Sequence, residues 1–196
     1  MKSIEILGEI RENVGKTYSK KLRKNEQVPC VLYGDGSNVH FAVAEKEIGR
    51  AIYTPDVYMI NLKLDNKNYQ ALLKDVQYHP VSDKPVHVDL QIISDTKKST
   101  SRLPIIITGS SVGVLEGGRL AQLIRKVKVN GYPKDFPESI EIDITDLKIG
   151  QSVKVRDLKS DKIAFIDSPS EVIVAVKTSR NAVVDATAQA DDAKKA

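Results

Sequence analysis

The chain has 196 residues, with 30 Lys plus Arg against 26 Asp plus Glu, a formal charge of +4 and 41% hydrophobic residues. This is ordinary globular usage, with room for one large domain or two modest ones, and it excludes a fibrous or wholly disordered chain. One cysteine, Cys30, excludes an internal disulfide framework and a thiolate metal cluster. No apolar run approaches the roughly 20 residues of a membrane-spanning helix, and Glu5, Glu9 and Glu12 argue against a secretory leader; a soluble cytoplasmic protein is expected.

In chain order, Ile4, Ile6, Gly8 and Ile10 alternate with Ser3, Glu5, Leu7, Glu9 and Arg11 at a period near two, which predicts a strand. After Gly15-Lys16, the stretch Ser19–Asn25 reads as a short helix with Ser19 as its N-cap. Cys30–Tyr33 is an apolar strand in which the thiol serves as a small hydrophobe. Gly34-Asp35-Gly36-Ser37-Asn38 is a turn, and His40–Val43 a further strand. Glu45–Tyr53 places Ile48 and Ile52 four apart on an amphipathic helix that Thr54-Pro55 ends. Strands at 57–64, 69–77 and 85–92 follow, with a hairpin turn at Asp65-Asn66-Lys67-Asn68.

Residues 95–101 are polar and Lys- and Ser-bearing, so they read as a linker between a domain at 1–94 and a second at 95–180. The second is read as Leu103–Thr108, a glycine-rich connection at 113–118, a strand over Leu120–Asn130, and short strands at 140–144, 153–155, 163–166 and 172–176. That spacing predicts a β-rich domain. The Ala- and Asp-rich residues 181–196 read as a disordered tail. The fold class expected overall is mainly β with short helices.

Catalytic constellations are missing. His79 and His87 lack the spacing of a helical metal pair, and the glycines at 113–118 lack the Lys-Ser or Lys-Thr ending of a phosphate cradle. No enzyme, metal site, cofactor or small-molecule substrate is expected. Charge by segment is more telling: 1–94 carry a net +1, 95–180 a net +4 and the tail −1, yet five cations crowd into Lys16–Lys24. In that stretch Leu22 is free to face a core while Lys20, Lys21, Arg23 and Lys24 point outward. Gln77, His87 and Asp89 fit one face of a sheet, because odd positions of the third strand alternate with Val86, Val88 and Leu90. Cations that hold phosphates beside amide, imidazole and carboxylate groups that reach base edges or 2′-hydroxyls suit an RNA surface.

The joint pattern Gly15-Lys16…Ser19-Lys20-Lys21-Leu22-Arg23, Pro29-x-Val31-x-Tyr33-Gly34 and Asp75-Val76-Gln77…His79-Pro80…His87-Val88-Asp89 resembles the bacterial large-subunit ribosomal protein twenty-five family. Gly113-Val114-x-Glu116-Gly117-Gly118, Pro137-Glu138-x-Ile140-Glu141-x-Asp143 and Leu147-x-Ile149-Gly150-x-Ser152 extend the resemblance to its long two-domain form, the general stress protein Ctc type. The resemblance implies an N-terminal β-barrel-like domain, similar to the anticodon-binding domain of glutaminyl-tRNA synthetase, that binds 5S rRNA. It further implies a second β-rich domain touching neighbouring large-subunit components, in a protein that is monomeric within the ribosome. Carried over by position, it puts RNA contact at Arg11, Ser19, Arg23, Tyr33, His87 and Asp89, with Lys16, Lys20, Lys21 and Gln77 beside them. The alternative is a stress-associated protein-interaction module only partly bound to ribosomes.

Overall fold

The computed structural model describes residues 2–34, 36, 38–65, 67–94, 97–158, 160 and 162–178. The expected tail at 181–196 lies outside them, as do Asp35 and Ser37 of the first turn, Asn66 of the hairpin turn, and Asp95 and Thr96 of the linker. The chain divides into two compact units: residues 1–102 with 130–138, and residues 103–129 with 139 onward.

The first unit is a closed barrel. Strands β1 (Lys2–Ile10), β2 (Gln27–Tyr33), β3 (Val39–Ala44), β4 (Tyr58–Leu64), β5 (Lys67–Tyr78) and β6 (Pro85–Ile92) close in the order β1-β3-β2-β6-β5-β4. The pairs β1–β4 and β2–β6 are parallel and the others antiparallel. Alternation decides which residues point inward: Cys30 and Leu32 of β2, Phe41 and Val43 of β3, Ile60, Leu62 and Leu64 of β4, and Val88 and Leu90 of β6 form one core. Each such side chain taken from water contributes about 1.5–3 kcal/mol before conformational entropy is counted. Helix α2 (Glu45–Ile52) adds Ile48 and Ala51 to the same core.

Helix α1 (Lys16–Lys24) packs on β2 and buries only Leu22. It begins three residues earlier than expected, because Gly15 takes φ +137°, a conformation that only glycine adopts freely, and its carbonyl accepts the first helical hydrogen bond from Ser19 N at 3.0 Å. Ser19 is therefore inside the helix and is not its cap, and Gly15 offers no side-chain oxygen to replace it.

The stretch read as a linker becomes strand at Ser99, where β7 (Ser99–Thr108) starts with Ser99 and Ser101 buried. Its first residues lie against the outside of the barrel: Lys74 Nζ donates to Gln91 Oε1 at 3.0 Å and to the Thr100 carbonyl at 2.9 Å, and Ser99 Oγ donates to the same Gln91 oxygen at 3.3 Å.

The second unit is β-rich. One sheet runs in the order β10 (Ile140–Asp143), β7, β9 (Lys126–Gly131), β12 (Ala164–Phe165), and the other in the order β11 (Ser152–Lys154), β13 (Val172–Lys177), β8 (Arg119–Gln122). Leu103, Val127, Val129, Ile173, Val174 and Val176 are all but inaccessible to solvent. The expected single strand over Leu120–Asn130 is two strands, broken at Leu123–Arg125 and paired into different sheets. The glycine-rich connection opens with a short helix, α3 (Val112–Leu115), because Ser111 Oγ accepts from Val114 N at 3.3 Å and donates to the Leu147 carbonyl at 2.7 Å. No helix among the described residues is long and apolar enough to cross a membrane.

Candidate nucleic-acid interface

The outer face of β2, β6 and β5 carries the polar groups. Strand pairing sets Val31, Asp89 and Asp75 in one row, with His40 of β3 beside Val31. The next row holds Tyr33, Gln91 and Leu72, and on the other side Gln77 stands opposite His87. This grouping depends on a bulge. The β5–β6 register shifts between Leu73 and Asp75, so even positions of β5 face outward before it and odd positions after it. Without the extra residue, Gln77 would point into the core in place of Val76.

Within the strip, His87 Nδ1 lies 2.8 Å from Asp89 Oδ1. The carboxylate only accepts, so Nδ1 carries the hydrogen and Nε2 is left for other partners. Tyr33 is half-buried beside these acids. Burial, and then the negative charges of Asp89 and Asp75, hold its phenol in the neutral form to higher pH than usual. Cys30 lies directly behind. Burial pushes its thiol up to about 12, with Asp89 adding to the rise and Arg11 opposing it, and Sγ donates to the Val28 carbonyl at 3.4 Å. That is an inert core thiol.

Arg11, just past β1, links the strip to α1. Its backbone N–H donates to the His40 carbonyl at 2.9 Å. Its Nη2 donates to Ser19 Oγ at 3.3 Å and to the Asn13 carbonyl at 3.4 Å, and the guanidinium sits 5.5 Å from the centre of the Tyr18 ring. Its Nε is buried with no hydrogen-bond partner among the described residues, an exception to the usual satisfaction of buried donors. Ser19 is thus held by Arg11, with Leu22 buried on the same side of the helix. Lys16, Lys20, Lys21, Arg23 and Lys24 are all exposed. Lys21, Arg23 and Lys24 also occupy the last turn, where cations suit the helix dipole whatever they bind.

The structure therefore gathers Arg11, Ser19 and the α1 cations on one side, and Tyr33, Gln77, His87 and Asp89 on the strip. Sequence reasoning passed over Asp75 and His40, which the register brings into the Asp89 row. Their signal was weak, since a lone acid and a lone imidazole on separate strands have no periodic link. The six cations from Arg102 to Lys134 belong to different units and, within the second unit, to different sheets. Lys126 and Lys128 alternate with buried Val127 and Val129 on β9, Arg119 belongs to the other sheet, and Arg102 and Lys134 fall in the first unit. Among the described residues, no group of three His, Cys, Asp or Glu side chains could hold a metal ion.

A sequence profile of the Ribosomal L25p family matches residues 6–90, and one of the ribosomal protein TL5 C-terminal domain matches residues 98–180. The large ribosomal subunit protein bL25 of Phocaeicola vulgatus is 41% identical over 189 residues, covering 93% of this chain and 96% of that protein. The bL25 of Christiangramia forsetii is 42% identical over 185 residues, covering 93% and 84%. That of Azobacteroides pseudotrichonymphae is 37% identical over 183 residues, covering 93% and 97%. The chain belongs to the Ribosomal L25p family. Both profiles on one chain make it the long form of that family, and membership makes it non-enzymatic. The barrel spans the first profile, and all ten candidate RNA contacts fall on it.

Proposed function

We propose that this chain is a structural constituent of the large ribosomal subunit, working on cytoplasmic ribosomes, and that its barrel unit binds 5S rRNA. One observation carries the reading: a helix whose charged residues are all cations, tied down through Arg11 and Ser19, stands beside a strip of hydrogen-bond acceptors on β2, β6 and β5. The helix cations serve the phosphates, which position an RNA without reading it. Asp89 and Asp75 accept hydrogen bonds, so they select donors: 2′-hydroxyls, exocyclic amino groups and imino N–H groups in an opened groove, while Nε2 of His87 is left for a further contact. Two carboxylates facing a polyanion would be repulsive unless they accepted such hydrogen bonds, and Asp89 also fixes which nitrogen His87 presents. Gln77, opposite His87, is able both to give and to accept.

The measurement is a footprint and a gel shift of purified 5S rRNA with the full chain. Protection of one helical segment at sub-micromolar protein is expected, with competition by unlabelled 5S rRNA but not by an unrelated duplex. Absence of a complex at low salt, or equal competition by any duplex, would defeat the proposal.

A further inference from the structure

We propose that the cavity beside α2 is a second RNA site that takes a single unpaired nucleotide, with its base on Tyr53 and its phosphate on Lys46 and Arg50. The cavity is open to solvent, has a volume of about 510 Å³, within the range of small-ligand pockets, and lies between α2, the start of β2 and the β5–β6 connection. Its residues are not those of the α1 and β6 face, so the inference stands apart from the 5S rRNA reading.

Several features converge there. Gly49 is buried in the middle of an eight-residue helix, where glycine costs about 1 kcal/mol relative to Ala. Its bare Cα lets the Tyr53 ring lie against the helix: an added Cβ would sit 3.3 Å from Tyr53 Cε2 and 3.4 Å from Cδ2. Tyr53 is nevertheless 63% exposed, so the ring is seated on one side and open on the other. Its phenol is also close enough to that of exposed Tyr78 to help keep the latter neutral, after burial. Opposite, Glu26 holds φ +56°, a strained left-handed conformation for a residue with a side chain, while its carbonyl accepts the first N–H of α2 from Glu45 at 2.8 Å.

The charges fit a nucleotide better than a bare anion or an acidic peptide. Lys84 is engaged with Glu45 at 3.6 Å. Lys46 and Arg50, one helical turn apart and exposed, have no ion pair among the described residues and are free to share a phosphate. Glu26 is a carboxylate that also lines the cavity, able to accept from a sugar hydroxyl or a base amino group, and it would repel an acidic side chain. A flat exposed ring provides a stacking platform that every base satisfies.

The test is amide NMR of the full chain titrated with hexauridylate, with inorganic phosphate and with a hexaglutamate peptide. The Gly49, Tyr53 and Thr54 amides should move with hexauridylate. Tyr53→Ala should weaken that response about tenfold and Tyr53→Phe should preserve it. Lys46→Ala with Arg50→Ala should weaken it roughly tenfold and flatten its salt dependence. Since Tyr53, Lys46 and Arg50 are exposed, the dispersion of the remaining amides reports that these variants fold. The proposal is overturned if the three amides stay still while α1 amides shift, if phosphate alone reproduces the response, if Tyr53→Ala leaves it intact, or if hexaglutamate saturates the cavity at lower concentration. The α1 and cavity amides are separate signals, so failure here and failure of 5S rRNA binding are distinguishable.

Discussion

The two parts of the candidate interface are built on opposite principles. Helix α1 is a local structure: nine residues, one buried side chain, and a run of exposed cations that any sequence window reveals. The β2–β6–β5 strip is non-local: its acids, imidazole and amide come from β5 and β6 and its phenol, Tyr33, from the distant β2, and they meet only through pairing register. A cationic helix suffices for phosphates, because a point charge tolerates displacement. Selecting hydrogen-bond donors demands fixed acceptors, and a closed barrel supplies them. Affinity and discrimination should therefore be separable by mutation.

The largest effect should come from emptying the helix of charge. Replacing Lys16, Lys20, Lys21 and Arg23 together by Gln should lower 5S rRNA affinity by about a hundredfold or more at moderate salt, and flatten the dependence of log K on log salt by roughly 0.7–0.9 for each phosphate no longer neutralised. Filter binding across a salt series measures both, and an unchanged slope would break the division of labour. Next comes Asp89→Ala. Bulk electrostatics predicts tighter binding when an acid facing RNA is removed; a donor-reading role predicts about ten- to hundredfold weaker binding to 5S rRNA, with the salt slope retained and an unrelated duplex unaffected.

A smaller effect is expected from Lys74→Met. Lys74 sits at the bulge that turns Gln77 outward, and burial lowers its pKa. Removing its hydrogen bonds to Gln91 and the Thr100 carbonyl should cost about 1–2 kcal/mol in urea unfolding and reduce discrimination between RNAs more than affinity. If unfolding is unchanged, the bulge is held by strand pairing alone. The smallest is spectroscopic. Tyr33 titrates above its ordinary 10.0, so the stability it contributes is present below that pH and is lost as pH rises through the folded value. Asp89→Asn should move the Tyr33 phenolate transition part of the way down, read from ultraviolet difference spectra against a Tyr33→Phe control. No movement would place Asp89 too far from the phenol to share a ligand with it.

Much of the barrel was legible in the sequence, because alternating residues on half-buried strands leave a period that needs no partner to be seen. Pro85–Ile92 shows it most cleanly, with Val88 and Leu90 inside and His87 and Asp89 outside. The helix start at Lys16 was not legible. Ser19 looks like a cap by residue type, but the competing feature was a backbone angle at Gly15, and Ser19 was taken by Arg11, eight residues away. The start of β7 within the expected linker was hidden for a related reason. Ser99 and Ser101 look solvated until Gln91 and Lys74 are placed beside them. Leu120–Asn130 reads as one apolar strand because periodicity does not record which sheet a residue joins.

The sequence by itself determined the chemistry available: a cation cluster at 16–24, a core thiol at Cys30, the polar face of β6, and a family pattern along both halves. The tertiary structure decided which of those groups meet. Closure in the order β1-β3-β2-β6-β5-β4 set β2 beside β6, and the bulge at Lys74 put Gln77 opposite His87. Side chains on a strand alternate every residue, so one inserted residue reverses every later orientation; such a count is settled by pairing across the barrel and leaves no mark in the local sequence.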